Sequence, residues 1–534
     1  MNDNFEMIAK TFYGLEEVLA EELINLGAND VQIGRRMVAF SGDKKMMYKA
    51  NFCLRTAIRI LKPILKFEAK NADEVYKKVY AFDWSKYLDS KKTFAIDAVV
   101  FSNEFSHSKF VSYKVKDAIV DHFRDIDGTR PSVRLNKPDV YLNVHIAETK
   151  CTISLDSSGE SLHRRGYRQE AVEAPLNEVL AAGMILMTGW RGDTDFIDPM
   201  CGSGTIPIEA ALIARNIAPG VFHKEFAFEK WPDFDQNSFD AVYNDDSEER
   251  DFEHKIYAYD NNPQAIQIAT HNIQAASVSK EIILQQRPIQ QFEQPKEKAI
   301  MVTNPPYGER ISTNDILGLY HVIGERLKHA FCGNEAWILA FREDCMDQIG
   351  LRPSKSVELF NGSLECQFRR YELFDGKMKI KKIREIEAKG ENPEERLVQR
   401  EYQTQQRSIA KKERTESYRK RLEAGEDPKK DTMSPADYKR RDDRRNTGRS
   451  TGRGEKRSYG RDGRRDNRSS ERSSYGRDDR RDNRSSERSS YGRDDSRQED
   501  SSYRRPSGKD TIKDIYRKIK ETKNALNDEK NDQD

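Results

Sequence analysis

The stretch D-F-I-D-P-M-C-G-S-G-T-I-P-I-E-A-A, from Asp195 to Ala211, decides the fold class of this chain. A short apolar strand ends in Asp198, the chain passes two glycines, and a helix rich in Ala and Ile follows. Glycine accepts positive φ and lets a ligand approach the backbone, while a helix start offers unpaired N–H groups. The stretch therefore predicts a ligand-binding turn between a strand and a helix. A glycine-rich turn without a function is the alternative.

The acid at the end of this strand indicates which ligand the turn binds. The spacing G-S-G-T differs from the G-x-G-x-x-G of dinucleotide folds, and an Asp198 carboxylate would repel a phosphate. A carboxylate better matches a cofactor that carries an ammonium group, such as the methionine part of S-adenosylmethionine. The predicted cofactor contacts in this turn are Asp198, Pro199, Cys201, Gly202, Gly204 and Thr205.

A second strand also ends in an acid. The sequence K-I-Y-A-Y-D-N-N-P-Q-A, from Lys255 to Ala265, places Asp260 at the strand end and Pro263 in the first turn of the next helix. An acidic side chain at this position can bind both hydroxyls of a ribose. Asp260 is therefore predicted to bind the cofactor ribose, although a strand followed by Asp and a turn is common by itself.

The third motif, T-N-P-P-Y-G-E-R-I from Thr303 to Ile311, follows an apolar run that is typical of a strand. Two consecutive prolines cannot continue a hydrogen-bonded ladder, so the motif predicts a stiff turn. An exocyclic amine fits such a turn, because the Asn304 amide oxygen and the Pro305 carbonyl accept its two protons while Tyr307 stacks on the ring. An ordinary turn after a strand is the alternative. The predicted catalytic residues are Asn304, Pro305, Pro306 and Tyr307.

In this order, the three motifs resemble those of class I S-adenosylmethionine-dependent methyltransferases. D-P-M-C-G-S-G-T-I-P-I-E-A and T-N-P-P-Y-G-E-R are similar, more closely, to bacterial ribosomal RNA guanine-N2 methyltransferases of the RlmL/YpsC type. The resemblance runs from about Phe5 to Leu373 and includes L-D-S-S-G-E-S-L-H-R-R-G-Y-R, A-P-L-N-E-V-L-A-A-G and F-A-F-E-K-W. It implies a THUMP RNA-binding domain before the catalytic domain. It also implies methylation of a guanine exocyclic amine in 23S rRNA, with the RNA or a pre-50S particle as partner.

One position departs from the family pattern, and several chemistries share the motifs. Such enzymes usually carry an Asp after the third strand that accepts the adenine amino group of the cofactor, and Pro288 stands there in this chain. Gln286 or Gln290 could substitute through a side-chain carbonyl, so the adenine contact is unassigned. Adenine-amine methyltransferases of DNA or RNA and glutamine-amide methyltransferases use the same kind of site. A catalytically vestigial RNA-binding assembly factor is a further alternative.

Alternating strand and helix patterns predict an α/β protein in three parts. These are an N-terminal α+β ferredoxin-like and THUMP RNA-binding unit, a doubly wound Rossmann-like methyltransferase domain with a terminal antiparallel hairpin, and a disordered Arg-rich tail. The hairpin is predicted around Asn361-Gly362. The predicted domains are 1–60 (ferredoxin-like unit), 61–155 (THUMP), 156–175 (connector), 176–376 (methyltransferase), 377–440 (charged helix-prone linker), 441–509 (repeat tail) and 510–534 (short helix and terminus).

Basic residues in the N-terminal half and the connector predict RNA contacts. Polar and basic side chains around a predicted helix start could bind phosphate, although a solvated helix face explains the lysines equally well. The connector arginines could clamp RNA between the two folded parts or could simply be solvated. The predicted RNA-binding residues are Ser106, His107, Lys109, Lys114, Arg164, Arg165 and Arg168.

The C-terminal segment is low in complexity and carries positive charge. S-Y-G-R-D recurs with Tyr459, Tyr475 and Tyr491, and the segment from Arg441 to Asp510 has 22 Lys and Arg against 15 Asp and Glu. The whole chain is +2 at pH 7, so residues 1–440 are net negative. A segment of Arg, Gly and Tyr without aliphatic residues cannot bury a core, which predicts disorder with non-specific RNA contacts. Solubilisation alone is the alternative.

Several classes of protein and site are not expected. No run of 18 or more apolar residues exists, and the N-terminus lacks the pattern of a secretory signal. The six cysteines are scattered without a C-x-x-C pair, which argues against a zinc site and a disulfide scaffold. We therefore expect no metal and a reducing cytoplasm.

Overall fold

A computed structural model describes residues 4–105, 107–171, 175–306 and 313–374, which form two β-sheets and their covering helices. The predicted site residues Ser106 and Tyr307 lie outside the described residues. So do the predicted linker, repeat tail and terminal helix after residue 376. Within the described part of the chain, no helix is long and apolar enough to cross a bilayer.

The N-terminal sheet has the strand order β2-β3-β1-β4-β8-β7-β5-β6. Apolar residues alternate along its strands, so one face packs against helices, as in β3 with Val38 and Phe40 inward. Its strands are β1 (Phe5–Lys10), β2 (Asn29–Gly34), β3 (Met37–Gly42), β4 (Arg59–Glu68), β5 (Thr93–Phe101), β6 (Ser132–Val133), β7 (Val140–Ala147) and β8 (Lys150–Asp156). The helices of this half are α1 (Glu16–Asn25), α2 (Lys44–Cys53), α3 (Ala72–Tyr80) and α4 (Ser108–Asp127).

Strand β4 joins the two predicted N-terminal units into one sheet. It pairs antiparallel with β1 through Leu61 and with β8 along most of its length. Its residues fall on both sides of the predicted boundary at residue 60. The ferredoxin-like and THUMP ranges therefore share a continuous hydrogen-bonded ladder, and the domain ranges themselves remain predictions.

The second sheet has the order β11-β10-β9-β12-β13-β15-β14 and follows the connector. Its strands are β9 (Asp195–Asp198), β10 (Ile256–Asp260), β11 (Ile282–Gln286), β12 (Ala299–Thr303), β13 (Glu335–Ala340), β14 (Lys355–Asn361) and β15 (Leu364–Glu372). The first five run parallel, and β15 pairs antiparallel with both β13 and β14. The predicted doubly wound sheet with a terminal hairpin is confirmed. Gly362 makes the hairpin turn with φ of +66°, which glycine adopts without strain.

Helices cover this sheet as the alternating pattern predicts. They are α5 (Glu178–Met187), α6 (Thr205–Ala214), α7 (Gln236–Tyr243), α8 (Pro263–Ala275), α9 (Thr313–Ala330) and α10 (Glu343–Gln348), with 3-10 turns at Pro219–Phe222, Ala227–Lys230 and Ile289–Gln291. Asn177 and Asn262 cap α5 and α8 by accepting from backbone N–H groups. Helix α6 is buried along its whole length, so it is mostly apolar rather than amphipathic, and its one charged residue, Glu209, is buried.

The N-terminal half packs directly on the half that contains the second sheet. The aromatic rings of Tyr48 and Phe228 lie 4.6 Å apart, and the Tyr48 hydroxyl accepts a hydrogen bond from Asp235 N at 3.0 Å. Gly220 faces the Phe52 backbone so closely that an added Cβ would lie 2.6 Å from its carbonyl oxygen. One continuous cluster of buried side chains therefore spans both halves.

Candidate active site

The three sequence motifs meet at the carboxyl ends of neighbouring parallel strands. In the register of the sheet, Asp198 of β9 pairs with Ala258 of β10, and Met301 of β12 pairs with Ile197 of β9. β10 lies on one side of β9 and β12 on the other, so the order of the strands reverses at this point. A crevice outside the strand ends at such a reversal is where open α/β sheets bind ligands.

The glycine-rich turn after β9 has a backbone shape that side chains would hinder. Gly202 and Gly204 have φ of +54° and +85°. A Cβ on Gly204 would also lie 3.3 Å from the Cβ of Ala269 on α8. Cys201 N donates to the Tyr259 carbonyl at 2.8 Å, which fixes the turn to the end of β10. The two glycines are thus required by backbone conformation and, at Gly204, by contact with the next helix.

Asp198 is a buried carboxyl with one oxygen left for a ligand. It is 1% exposed, and its Oδ1 accepts hydrogen bonds from the Thr303 hydroxyl at 2.7 Å and Met200 N at 3.2 Å. Its Oδ2 is buried and has no hydrogen-bond partner among the described residues. Burial raises the pKa of this carboxyl to about 7, although the bonds from Thr303 and Met200 oppose the shift.

This unsatisfied oxygen fits the ammonium group of a bound S-adenosylmethionine. A buried acceptor without a partner is costly, and a cationic donor would satisfy both its hydrogen-bonding capacity and its charge. The thiol of Cys201 is also buried, and burial raises its pKa well above the usual range. A thiol in this state is a poor nucleophile, so Cys201 can shape the turn but does not attack a substrate.

Asp260 at the end of β10 holds the glycine-rich turn as well as facing the crevice. Its Oδ2 accepts from Gly202 N at 2.9 Å, and its Oδ1 accepts from Asn262 N at 2.9 Å. A carboxylate oxygen can accept more than one hydrogen bond, so these contacts orient the group and leave capacity for ribose hydroxyls. The sequence identified the residue, but not its bond to the turn.

The proline motif begins at the end of β12, beside Asp198. Thr303 is fully buried, Asn304 is half-buried, Pro305 is buried and Pro306 is exposed. The bond from the Thr303 hydroxyl to Asp198 joins the predicted target-amine motif to the predicted cofactor turn. Sequence reasoning missed Thr303, although a hydroxyl residue closing an otherwise apolar strand was a visible signal.

The adenine contact that the family resemblance implies is predicted to lie after β11 and stays unassigned. Gln286 ends that strand, and its side-chain Nε2 donates to the Asn261 carbonyl at 3.2 Å. Pro288 stands just before the 3-10 turn at Ile289–Gln291, and Gln290 is exposed. Arg287 N donates to the Asp260 carbonyl at 2.9 Å, which ties this segment to β10. Gln286 and Gln290 both remain candidates for the adenine contact.

The prediction that all three connector arginines contact RNA needs correction for Arg165. Its side chain is 2% exposed, pairs with Glu209 at 3.4 Å, and donates to the carbonyls of Leu162 and Arg55. Tyr167 donates its hydroxyl to the same Glu209 oxygen at 2.8 Å. Because all of these partners are internal, Arg165 joins the N-terminal half to α6 and cannot reach a phosphate without leaving a buried carboxylate unpaired.

The other two connector arginines differ from each other. Arg164 has a side chain that is 69% exposed and pairs with Glu160 at 3.1 Å, so it remains a predicted RNA contact. Arg168 is turned inward, with its side chain 18% exposed and paired with Glu178 at 2.8 Å. Arg168 therefore contacts the glycine-rich turn from inside the protein, and an RNA contact at this residue stays an untested prediction. The sequence of the connector does not indicate which of its arginines is exposed and which is buried.

The predicted phosphate-binding region at the start of α4 is exposed. His107 precedes the helix, Lys109 is exposed, and Lys114 pairs with Asp73 at 3.0 Å. Phe110 and Tyr113, one helical turn apart on the same helix, are 52% and 51% exposed. Sequence reasoning missed these two rings because apolar residues on an amphipathic helix are normally assigned to the core.

One group of metal-ligating side chains lies close together in the described part of the chain. Asp195, His254 and Glu297 gather where β9, β10 and β12 begin. His254 Nδ1 is 3.6 Å from Asp195 Oδ1 and 3.4 Å from Glu297 Oε2. This group lies at the amino ends of the strands, at the opposite edge of the sheet from the crevice.

Comparison with known proteins matches three family models along the chain. Residues 165–370 match the RMKL-like methyltransferase domain, residues 69–156 match the THUMP domain, and residues 6–61 match the RlmL ferredoxin-like domain. A candidate RNA methyltransferase of Synechocystis is 38% identical over 364 residues, covering 68% of this chain and 95% of that protein.

The ribosomal RNA large subunit methyltransferase K/L of Syntrophotalea carbinolica is 37% identical over 374 residues, covering 67% of this chain and 52% of that protein. The chain thus spans about half the length of the K/L relatives that it matches.

Solved structures agree with this grouping. A candidate methyltransferase crystallised in complex with SAH is 31% identical with a TM-score of 0.64, over 71% of this chain and 100% of that one. A protein described as a predicted N6-adenine-specific DNA methylase from Listeria monocytogenes is 29% identical with a TM-score of 0.63, over 70% of this chain and 97% of that one. Domain content, strand order and crevice together make the chain a member of the THUMP-domain family of RlmL-like, S-adenosylmethionine-dependent methyltransferases.

Proposed function

We propose that this protein transfers a methyl group from S-adenosylmethionine to the exocyclic N2 amine of a guanine in 23S ribosomal RNA, in the cytoplasm. The observation that carries methylation of a planar amine is the 2.7 Å hydrogen bond from the Thr303 hydroxyl to Asp198, and the family resemblance supports guanine N2 as that amine. This hydrogen bond holds the start of the N-P-P-Y motif, which suits a planar NH₂ group, against the turn that suits the methionine end of the cofactor. The names of the K/L relatives support ribosomal RNA as the substrate.

The chain's own residues supply binding and orientation in this mechanism. Bound S-adenosylmethionine supplies an electrophilic methyl group. Asn304 and the Pro305 carbonyl accept the two N–H groups of the target amine, which directs the nitrogen lone pair toward that methyl group. Tyr307, which lies outside the described residues, is proposed from its place in the motif to stack on the base. No general base is needed before transfer, because the amine can lose its proton afterwards.

Asp198 and Asp260 hold the cofactor in this proposal. The buried Asp198 Oδ2 accepts from the ammonium group, and Asp260 accepts from the ribose hydroxyls while its bonds to Gly202 and Asn262 keep it oriented. The two carboxylates lie at the ends of adjacent strands, so they can hold the two ends of one extended ligand.

The N-terminal half is proposed to present the RNA. THUMP is the RNA-binding part of the family resemblance, and the start of α4 offers exposed His107 and Lys109 beside the rings of Phe110 and Tyr113. Basic groups contact phosphates, and exposed rings can stack on unpaired bases. A 23S rRNA or a pre-50S particle is the proposed partner.

An adenine amine is the second candidate target. The description of the Listeria monocytogenes neighbour as a predicted N6-adenine-specific DNA methylase favours it, and the same Asn and Pro acceptors would hold an adenine N6 equally well. The bond between Thr303 and Asp198 is common to both reactions, so the base must be identified by experiment.

The deciding experiment is mass spectrometry of ribosomal RNA nucleosides from a strain that lacks the gene, with primer extension to locate the site. We expect loss of one N2-methylguanosine in 23S rRNA, restored by the wild-type gene and not by an Asn304→Ala copy. Loss of an N6-methyladenosine instead would select the second candidate. Unchanged RNA nucleosides together with lost methylation of DNA or protein would reject RNA as the substrate.

A further inference from the structure

One arginine of the connector, Arg168, contacts the glycine-rich turn after β9, which is the proposed cofactor site. Arg168 Nε donates to Glu178 Oε1 at 2.8 Å, and its Nη2 donates to the Leu176 carbonyl at 2.9 Å and to Thr205 Oγ1 at 3.1 Å. Its Nη1 also lies 3.4 Å from Ser203 Oγ. One guanidinium therefore links the start of α5 to the glycine-rich turn and the first turn of α6.

A second side chain holds the same turn from α8. Asn272 is 1% exposed, and its Nδ2 donates to the Ser203 carbonyl at 3.0 Å and to the Glu170 carbonyl at 2.9 Å. Its Oδ1 accepts from Gln169 N at 2.9 Å. Ser203 is thus held through its hydroxyl by Arg168 of the connector and through its carbonyl by Asn272 of α8. Asn272 also binds the connector, at Gln169 and Glu170.

These contacts order the glycine-rich turn, whose conformation costs backbone entropy when no ligand is bound. Gly202 and Gly204 both have positive φ, and glycine loses more backbone freedom on ordering than any other residue. If the turn were loose, the cofactor would have to order it on binding and affinity would fall. The planar guanidinium suits the task, because its five donors point in fixed directions toward several acceptors at once.

We propose that Arg168 is a positioning residue for the cofactor turn, with Asn272 as its second anchor, so that the connector from the RNA-binding half sets the affinity for S-adenosylmethionine. The inference rests on the cofactor of the proposed function and not on the base that is modified. It replaces an RNA contact at Arg168 with a role in cofactor binding, which can be measured without RNA.

The test compares Arg168→Ala with Arg215→Ala. Arg215 lies at the C-terminal end of α6 and pairs with Glu281 at 3.3 Å. The side chains of this pair are 26% and 10% exposed, and those of Arg168 and Glu178 are 18% and 6% exposed. Both variants lose a half-buried ion pair, but only Arg168 contacts the turn. Calorimetry should show S-adenosylmethionine binding weakened about tenfold in Arg168→Ala and by less than about twofold in Arg215→Ala.

Two further measurements separate positioning from general damage. Arg168→Lys keeps the charge but cannot reach Glu178, Leu176 and Thr205 together, so its cofactor affinity should fall between wild type and Arg168→Ala. It also serves as the test if Arg168→Ala fails to fold. RNA affinity, measured without cofactor, should be the same in Arg168→Ala and Arg168→Lys as in wild type. Unaltered cofactor affinity in the Arg168 variants, equal losses in Arg168→Ala and Arg215→Ala, or a selective loss of RNA binding would each overturn the proposal.

Discussion

The turn after β9 and the start of α4 are both helix N-termini beside polar side chains, yet one is enclosed and the other open. In the turn, Asp198 is 1% exposed and Ser203 is 4% exposed. At the start of α4, Phe110 and Tyr113 are each about half exposed next to an exposed Lys109. The enclosed turn suits a small ligand, because its buried polar groups have fixed positions. The open surface suits a large, charged and sequence-tolerant partner.

The difference arises from what lies behind each helix start. Helix α6 is buried all round and is backed by Arg168, Asn272 and the connector, so its N-terminal turn has a fixed shape. Helix α4 has one face against the N-terminal sheet and α3, and its first turn points outward. Substitutions in the enclosed region should therefore act strongly and on one ligand. Substitutions on the open surface should act weakly and depend on salt.

The largest effect should come from Asn304 at the edge of the enclosed region. We expect Asn304→Ala to lower single-turnover methyl transfer by roughly a hundredfold or more, about 3 kcal/mol of barrier, because the target amine loses its oriented acceptor. Cofactor affinity by calorimetry should stay within a few-fold of wild type. Near-normal turnover of this variant would show that another group holds the amine.

Removing the Asp260 carboxylate should weaken S-adenosylmethionine binding by roughly tenfold to a hundredfold. The variant Asp260→Ala loses both the proposed ribose acceptor and the bond that holds Gly202 N. Asp193→Ala is the matched control, because that exposed carboxylate lies just before the other end of β9. Calorimetry should separate the two variants clearly. Equal affinities would place the ribose contact elsewhere.

The raised pKa of Asp198 makes cofactor affinity depend on pH. Since the pKa is about 7, the carboxyl is mostly neutral at pH 6 and mostly ionised at pH 8, and only the ionised form attracts an ammonium group. Affinity for S-adenosylmethionine should rise about tenfold between these values. Asp198→Asn should bind more weakly and show a flat profile. A pH-dependent profile that survives this substitution would assign the effect to another group.

The same shift predicts the opposite trend for folding stability. The neutral Asp198 carboxyl is favoured in the folded protein, so its contribution to stability is full below the ordinary pKa of 3.8 and is lost as the pH rises from there through about 7. Urea unfolding without cofactor should therefore show that Asp198→Asn gains stability relative to wild type as the pH rises from 6 to 8. A constant difference between the two proteins across that range would contradict the assignment.

On the open surface, Lys109→Ala should weaken RNA binding only a few-fold. Loss of a single phosphate contact should lower, by about one unit, the slope of the logarithm of the binding constant against the logarithm of the salt concentration. Lys78 is a matched control, since it is an exposed lysine on α3 toward the far end of α4, where Tyr80 donates to Asp125 at 2.7 Å. Filter binding at several salt concentrations would measure both variants. Equal slopes for the two would remove the start of α4 from the RNA surface.

Truncation after residue 440 should have the smallest effect on the reaction itself. The removed segment has a net positive charge, whereas residues 1–440 are net negative, so RNA binding should weaken and its salt dependence should flatten. The same nucleotide should still be methylated, because a flexible charged chain cannot hold a base edge in register. Primer extension on RNA treated with the truncated enzyme would check this, and a changed site would refute it.

Local sequence determined the parallel sheet, the terminal hairpin and the three strand ends of the crevice. Strand-turn-helix punctuation, two glycines with positive φ and an Asn-Gly turn are local in origin, so Asp198, Asp260 and Asn304 could be recognised by reading along the chain. The cofactor followed from the chemistry of a carboxylate at a strand end. The roles of these three residues remain predictions for the experiments above.

Tertiary structure alone decided which polar groups are enclosed. Arg164, Arg165 and Arg168 are chemically alike and nearly adjacent, yet one is exposed, one is buried against Glu209 and one braces the cofactor turn. Their surroundings come from segments up to about a hundred residues away in the sequence, as does the pairing of β4 with both β1 and β8. Burial depends on how the whole chain packs. A buried charged side chain pairs with an internal group rather than with RNA, because an unpaired buried charge is too costly.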